Sequence, residues 1–255
     1  MPVKGYAEGL MEMALSNGER RPLRSPRSDY WRDFTKLCWT RVGTIMPAKA
    51  LDKAHVWLDY LSVARWLREQ NLSPQSRVQG GREVFRVVAE PIAQKAVLFL
   101  EFGVFRGYTM SQWSVLLQNP ESRFVGFDSF EGLPEDWATN YPKGTFTAHG
   151  AIPKITDTRV TLVKGWFEDT VPTYDFIERE PLVVHLDADL YSSTIVVLRA
   201  LKSRIKVGAT LIFGDFQHFY HERRAFDEFL RETGWKFELT VADYCLAYVA
   251  FRRIE

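Results

Sequence analysis

The feature that most constrains the fold is the apolar run Ala96-Val-Leu-Phe-Leu-Glu-Phe-Gly103, in which Glu101 is the one charged residue. A strand with one wet face alternates polar and apolar residues. A strand that stays apolar throughout is covered on both faces, as in a parallel sheet between helical layers. The following sequence keeps to that plan. A helical stretch at about 108–118 leads to a short strand at 123–128, and strands follow at 161–165, 182–187 and 208–215, with helical stretches at 191–205 and 219–233. The last two strands, 236–241 and 245–251, are joined only by Ala242, Asp243 and Tyr244. That link is too short for a parallel crossover and predicts an antiparallel hairpin. The expected fold is α/β: a Rossmann-like, mostly parallel, doubly wound sheet ending in an antiparallel hairpin, with ligands at the carboxyl ends of the strands.

Residues 1–95 have a different texture, polar and rich in Arg and Trp, and read as an N-terminal helical extension or lid before a ligand-binding domain at 96–255. Between Lys53 and Gln70, the residues Ala54, Trp57, Leu58, Leu61, Ala64 and Leu67 fall on one face of an amphipathic helix. The Arg- and Pro-rich segment at 19–33 reads as a mobile arm or surface loop, and its basic run Arg20–Arg27 as a solvated segment. Trp31, Trp39 and Trp57 offer an interface for a homo-oligomer.

Composition narrows the partners. Lys plus Arg number 33 against 32 for Asp plus Glu, so no global field draws in nucleic acid. Cys38 and Cys245 are the only cysteines, which argues against a disulfide framework or a thiolate zinc site and fits a reducing compartment. No signal-peptide core opens the sequence and no uncharged apolar run is long enough to cross a bilayer. The expectation is a cytoplasmic protein with a small-molecule partner and no membrane contact.

The first strand runs into Glu101-Phe-Gly103-Val-Phe-Arg-Gly107, with its glycines four apart. Glycine there permits a sharp turn and close approach of a ligand to the backbone. The spacing departs from the dinucleotide pattern G-x-G-x-x-G, and an acid at the strand end suits a ligand with a cationic amino group. Asp128, ending the next strand, can accept hydrogen bonds from ribose hydroxyls; its plainer role is a turn or helix-capping carboxylate. Together the two elements favour a nucleoside ligand.

Four stretches carry a resemblance: Gly103-Val-Phe-Arg-Gly107, Phe127-Asp-Ser-Phe-Glu-Gly-Leu-Pro-Glu135, Lys164-Gly-Trp-Phe-Glu-Asp-Thr170 and His185-Leu-Asp-Ala-Asp-Leu-Tyr-Ser-Ser-Thr194. In order and spacing they resemble the macrocin O-methyltransferase family, over roughly residues 96–252. That family methylates sugar hydroxyls of macrolides and similar natural products, using S-adenosylmethionine and usually Mg²⁺. The resemblance implies a class I methyltransferase fold, with cofactor contacts from Glu101, Gly103 and Gly107, ribose binding by Asp128, and adenine-side contacts near Ser129 and Trp166. Trp166 also reads as a core aromatic after a strand.

Methyl transfer to a hydroxyl needs the oxygen held in line and its proton removed, by a base or with help from a metal. Asp187 and Asp215 close adjacent strands and suit a hard cation such as Mg²⁺. Asp187 is counted among the cofactor contacts as well, and Asp189 is the expected base. Asp187 and Asp189 have plain roles too, Asp187 as a cap of the helix beginning near Tyr191 and Asp189 as a solvated loop acid. The family commonly ends the later strand with two acids, whereas this chain has Gly214-Asp215. One expected ligand is therefore absent, leaving three outcomes: recruitment of Gln217, binding through fewer carboxylates, or a metal-free reaction with His218 or His221 as base. The rival readings are a metal-independent methyltransferase acting on a non-sugar acceptor and a catalytically inactive cofactor-binding subunit. The glycine spacing disfavours a nicotinamide-dependent dehydrogenase.

Overall fold

The computed structural model describes residues 26–138 and 141–255. It divides into two compact units, one ending at Ala54 and the other running from His55 to Glu255. In the first lie α1 (Pro26–Ile45) and the start of α2 (Ala48–Glu69). The segment expected to be an arm is therefore helical from Pro26, while its earlier part and most of the basic run lie outside the described residues. Trp31, Trp39 and Trp57 are exposed.

The second unit is an eight-stranded sheet with helices on both faces. Its elements are β1 (Ser76–Val78), α3 (Gly80–Ala89), β2 (Leu98–Phe102), α4 (Tyr108–Leu116), β3 (Arg123–Asp128), β4 (Val160–Lys164), α5 (Phe167–Thr170), β5 (Leu182–Leu186), α6 (Tyr191–Ala200), β6 (Thr210–Phe213), α7 (Glu222–Thr233), β7 (Phe237–Asp243) and β8 (Val249–Arg253). The strand order is β1-β7-β8-β6-β5-β2-β3-β4, and β8 runs antiparallel to its neighbours β6 and β7. The expected doubly wound sheet and terminal hairpin are both present, although the hairpin turn falls at 244–248. There the Asp243 carboxylate accepts from the Ala247 and Tyr248 amides and delays the second strand.

Two departures concern the N-terminal third. Residues 76–78 form a strand, parallel to β7, so the sheet begins well before residue 95 and the larger unit before that. Three residues are too few for a periodic signal. The helix expected at 53–70 exists, but the buried residues of its second half are Val63, Trp66 and Leu67, whereas Trp57, Leu58 and Leu61 are exposed. Trp66 fixes that face: its ring packs on Phe216 and Phe226, and its Nε1 donates to Asp227 at 2.9 Å, joining α2 to α7.

The apolar run at 96–103 is explained by two packed faces. Leu98, Leu100 and Phe102 belong to a core with α2, α6 and α7, whereas Phe99 belongs to one with α3 and α4. From β2 the chain winds through β3 and β4 to one side, and from β5 through β6 to the other. The order therefore reverses between β2 and β5, and a doubly wound sheet opens its ligand crevice at such a point.

Candidate active site

Three loops meet at this switch point, following β2, β3 and β5. Each holds a bulky residue in the left-handed region: Phe105 at φ 48°, Phe130 at 58° and Asp189 at 59°. Such conformations cost about 1–3 kcal/mol each and persist only where surrounding structure fixes them. The loops border a cavity of about 340 Å³, within the size range of small-molecule sites. Its charged lining is lopsided, with Asp128, Glu168, Asp187, Asp189 and Asp215 facing Arg106 alone.

Gly103 makes the crevice possible. Its φ is 95°, and a Cβ there would lie 1.9 Å from the Asp187 carbonyl oxygen. No side chain fits where the ends of β2 and β5 approach, and the Asp187 amide donates to Phe102 O across the same gap at 2.9 Å. Asp128 organises the other two loops. Its Oδ2 accepts from the Val104 and Phe105 amides at 2.8 and 2.7 Å, and its Oδ1 from Phe130 at 2.6 Å. The turn-carboxylate role is thus real, and the same side chain lines the cavity. Ser129 and Trp166 line it too; Trp166 is 37% exposed and so is not a core aromatic.

Three expected site residues lie elsewhere. Glu101 is fully buried and does not line the cavity; strand alternation turns it toward the α3/α4 layer, where its Oε1 lies 3.2 Å from His185 Nδ1. Burial, and then the charge of Asp128, raises its pKa well above the usual carboxylate range. Gly107 is outside the lining as well. At φ 74° it starts α4, and a Cβ there would meet Ile155 and Pro153, so its role is conformational. His218 is also outside the lining. Its Nδ1 pairs with Asp59 Oδ2 at 3.1 Å, and its ring stands edge-on to Trp137. His221 flanks the start of α7, and burial lowers its pKa.

The carboxylates do converge. Asp187, Asp189 and Asp215 all line the cavity, close enough to act on one another's ionisation. Burial raises the Asp187 pKa to about 6; His185 opposes the rise, and Asp215 and Glu101 add to it. Burial raises Asp189 to about 8, reinforced by the charges of Asp187 and Asp215 and by a hydrogen bond to Asp215. Asp189 is also fixed by its backbone: Leu190 N–H donates to Ala188 O at 2.6 Å, closing a γ-turn around it.

Gly214, the departure from the family pattern, has a steric reason. A Cβ there would lie 2.2 Å from Asp187 Oδ1, so the Asp187 carboxylate occupies the space a side chain at 214 would need. Sequence reasoning missed Glu222. Fully buried, it accepts from the Ala188 and Asp215 amides at 3.2 and 3.1 Å and ties the two carboxylate-bearing loops together. A Glu in the first turn of a helix reads as a favourable dipole interaction, and nothing in the sequence distinguishes this one.

Among the described residues no group of three or more His, Cys, Asp or Glu side chains is arranged to hold a metal ion. Asp187 and Asp215 remain as hard oxygen donors. Gln217 contacts Asp215 from outside the lining: its Nε2 donates to Asp215 Oδ1 at 3.2 Å, and its Oε1 is buried without a partner. Mg²⁺ takes one or two carboxylates and keeps several waters, so Asp187 and Asp215 are the side chains here with the donor chemistry such an ion would use.

A Streptomyces olivaceus protein, the 4'-O-methyltransferase of 8-demethyl-8-(2,3-dimethoxy-alpha-L-rhamnosyl)-tetracenomycin C, is 28% identical over 141 residues. The match takes in 46% of this chain and 52% of that protein, so the chain spans about half the length of this curated relative. Among solved structures, the O-methyltransferase NovP aligns with a TM-score of 0.55 at 24% identity, over 68% of this chain and 79% of its own. The calicheamicin methyltransferase CalS11 aligns at 0.51 and 20% identity, over 92% and 98%. These likenesses show the class I O-methyltransferase fold. Residues 77–253 match the profile of the macrocin-O-methyltransferase (TylF) family, and the chain belongs to that family.

Proposed function

We propose that this protein is an S-adenosylmethionine-dependent O-methyltransferase acting on a sugar hydroxyl of a small natural product. The observation that carries the reading is the lining of the switch-point cavity, in which five carboxyl groups and one guanidinium meet. S-adenosylmethionine is a small nucleoside with a sulfonium and an ammonium group, and it suits that lining. The sugar acceptor is supported by the relative whose name specifies a methylated rhamnosyl group.

When bound, S-adenosylmethionine supplies an electrophilic methyl group for in-line displacement. Asp128, pre-oriented by three backbone amides, receives the ribose hydroxyls, with Ser129 and Trp166 on the adenine side. Gly103 lets the ligand approach the backbone, and Asp187 faces the cationic end. Asp189, in its ionised form, takes the acceptor proton as the new C–O bond forms and the C–S bond breaks. A carboxyl whose pKa lies near neutrality is well matched to that exchange, and the γ-turn holds it in place before substrate arrives. Mg²⁺ is a second reading, favoured by the orphaned Gln217 oxygen; held by Asp187, Asp215 and Gln217, it would acidify the acceptor hydroxyl.

The test is transfer of labelled methyl to a panel of glycosides, with and without EDTA. Asp189→Asn is expected to keep S-adenosylmethionine affinity and lose about 10²–10⁴-fold in turnover, the range for general-base removal. Full activity in Asp189→Asn removes the base. Full activity in EDTA removes the metal reading and leaves the rest intact.

A further inference from the structure

A second cavity, of about 290 Å³, lies along α7 and shares no lining residue with the first. Trp66 and Tyr220 border it, together with Arg223, Arg224, Asp227 and Arg231, so three guanidiniums accompany one carboxylate. Arg224 and Arg231 are exposed. Arg224 lies over the Tyr191 ring at 4.1 Å, and Arg231 pairs with Asp227.

Arg223 differs from both. It is 1% exposed; its Nη2 donates to Ser62 Oγ at 2.8 Å, and its Nε and Nη1 are buried without any partner. The acids nearby are already engaged. Asp227 accepts from Trp66, Gln70 and Arg231, and Asp59 from His218 and the Phe219 amide. The Phe219 ring, 5.0 Å away, gives the cation one aromatic face. Buried charges are ordinarily paired, because desolvating a guanidinium without an anion is expensive. The cost is visible in its pKa, which burial pushes down to about 10.

We propose that Arg223, with Arg224 and Arg231 at the rim, binds a phosphoryl-class oxyanion in this cavity. Guanidinium N–H groups make their strongest hydrogen bonds to phosphate and carboxylate oxygens, and a tetrahedral dianion, with more charge and more acceptor oxygens than a carboxylate, suits three guanidiniums better. The proposal stands independently of the methyl-transfer reading. It also has a structural consequence. Arg223 directly follows Glu222, whose carboxylate holds the amides of Ala188 and Asp215 beside the carboxylate cluster. An anion at Arg223 therefore steadies the helical turn on which that strut depends. Two sources share the chemistry, free inorganic phosphate and a phosphate borne on a larger ligand.

The experiment is calorimetric titration of the full chain, in low-chloride buffer, with inorganic phosphate, UDP and acetate. One phosphate site is expected, weakened about tenfold or more in Arg223→Gln, while S-adenosylmethionine affinity is unchanged; tenfold corresponds to one charge-assisted hydrogen bond. UDP binding tighter than phosphate assigns the site to a nucleotide-borne group, and equal binding assigns it to the free anion. Arg224→Glu and Arg231→Glu, at exposed positions, reverse the rim charge and are expected to weaken phosphate as well, which keeps the test open if Arg223→Gln fails to fold. Absence of a phosphate signal, equal affinity in all variants, or acetate binding as tightly as phosphate would overturn the proposal.

Discussion

Gly214→Ala is the substitution whose consequence the geometry fixes most tightly. Gly214 has no positive φ, so its backbone accepts any residue and space is the only obstacle. The new methyl carbon would lie 2.2 Å from Asp187 Oδ1 and 2.9 Å from its Cγ. Restoring an ordinary van der Waals contact moves the carboxylate by about 1 Å, and a misplacement of that size can cost about 10²-fold in rate. Asp187 has little freedom to absorb the shift elsewhere, because its own amide is tied to Phe102 and its carbonyl lies against Gly103. The clash falls on the end of a side chain, so the stability cost is small, at the lower end of the roughly 1–3 kcal/mol for overpacking. The expected signature is a turnover loss of about two orders of magnitude with a nearly unchanged melting temperature. The assay is methyl transfer alongside thermal unfolding, repeated in an Asp187→Ala background. There the methyl group meets no carboxylate, and Gly214→Ala is expected to cost no further activity. Unchanged turnover in the single variant, or an equal loss in both backgrounds, refutes the argument.

Two further expectations follow from the same cluster. Asp189 has a folded-state pKa of about 8 against 3.8 for the free side chain, so the native state binds the extra proton between those values. Stability associated with that proton is present in acid and is lost as pH rises toward 8. Thermal melts of the ligand-free protein from pH 5 to 8 are expected to fall in the wild type and to fall less in Asp189→Asn; parallel curves would count against it. Gly103→Ala puts a Cβ 1.9 Å from a backbone oxygen at a φ of 95°, where no side chain can step aside. It is expected to destabilise the fold by several times the roughly 1 kcal/mol typical of a point mutation, and denaturant titration retaining the wild-type midpoint would contradict this.

How much of this could be read from the sequence depended on the range of the signal. The two-faced burial of β2 is written in consecutive residues, as are the glycine turn and the D-x-D at the end of β5, because side-chain alternation and strand-end chemistry are local. What failed was mostly non-local. Glu101 follows Leu100 in an acidic strand end that invites a ligand role, yet the alternation of the same strand turns it onto His185 in the opposite layer. Knowing which layer is wet required knowing which helices cover it. His218 found its carboxylate 159 residues away, at Asp59, in a helix whose buried face the sequence misassigned. Glu222 is the sharper case. The two backbone amides that donate to it follow two different strands, β5 and β6, and its sequence context is that of any helix start.

The absent acid at 214 shows that such non-local facts also govern how a missing residue should be understood. Read from the sequence, Gly214 marks an absent metal ligand. In the structure it is the space into which Asp187 leans, while Glu222 anchors the amide of the following residue. An acidic side chain at 214 would have to push Asp187 aside. Asp187 holds its place because position 214 has no side chain. Gly214→Asp should accordingly behave like Gly214→Ala and not restore a family-type site. Recovery of strong Mg²⁺ dependence with undiminished turnover in Gly214→Asp would show that Asp187 can yield without loss, and that the space above Gly214 is a vacancy.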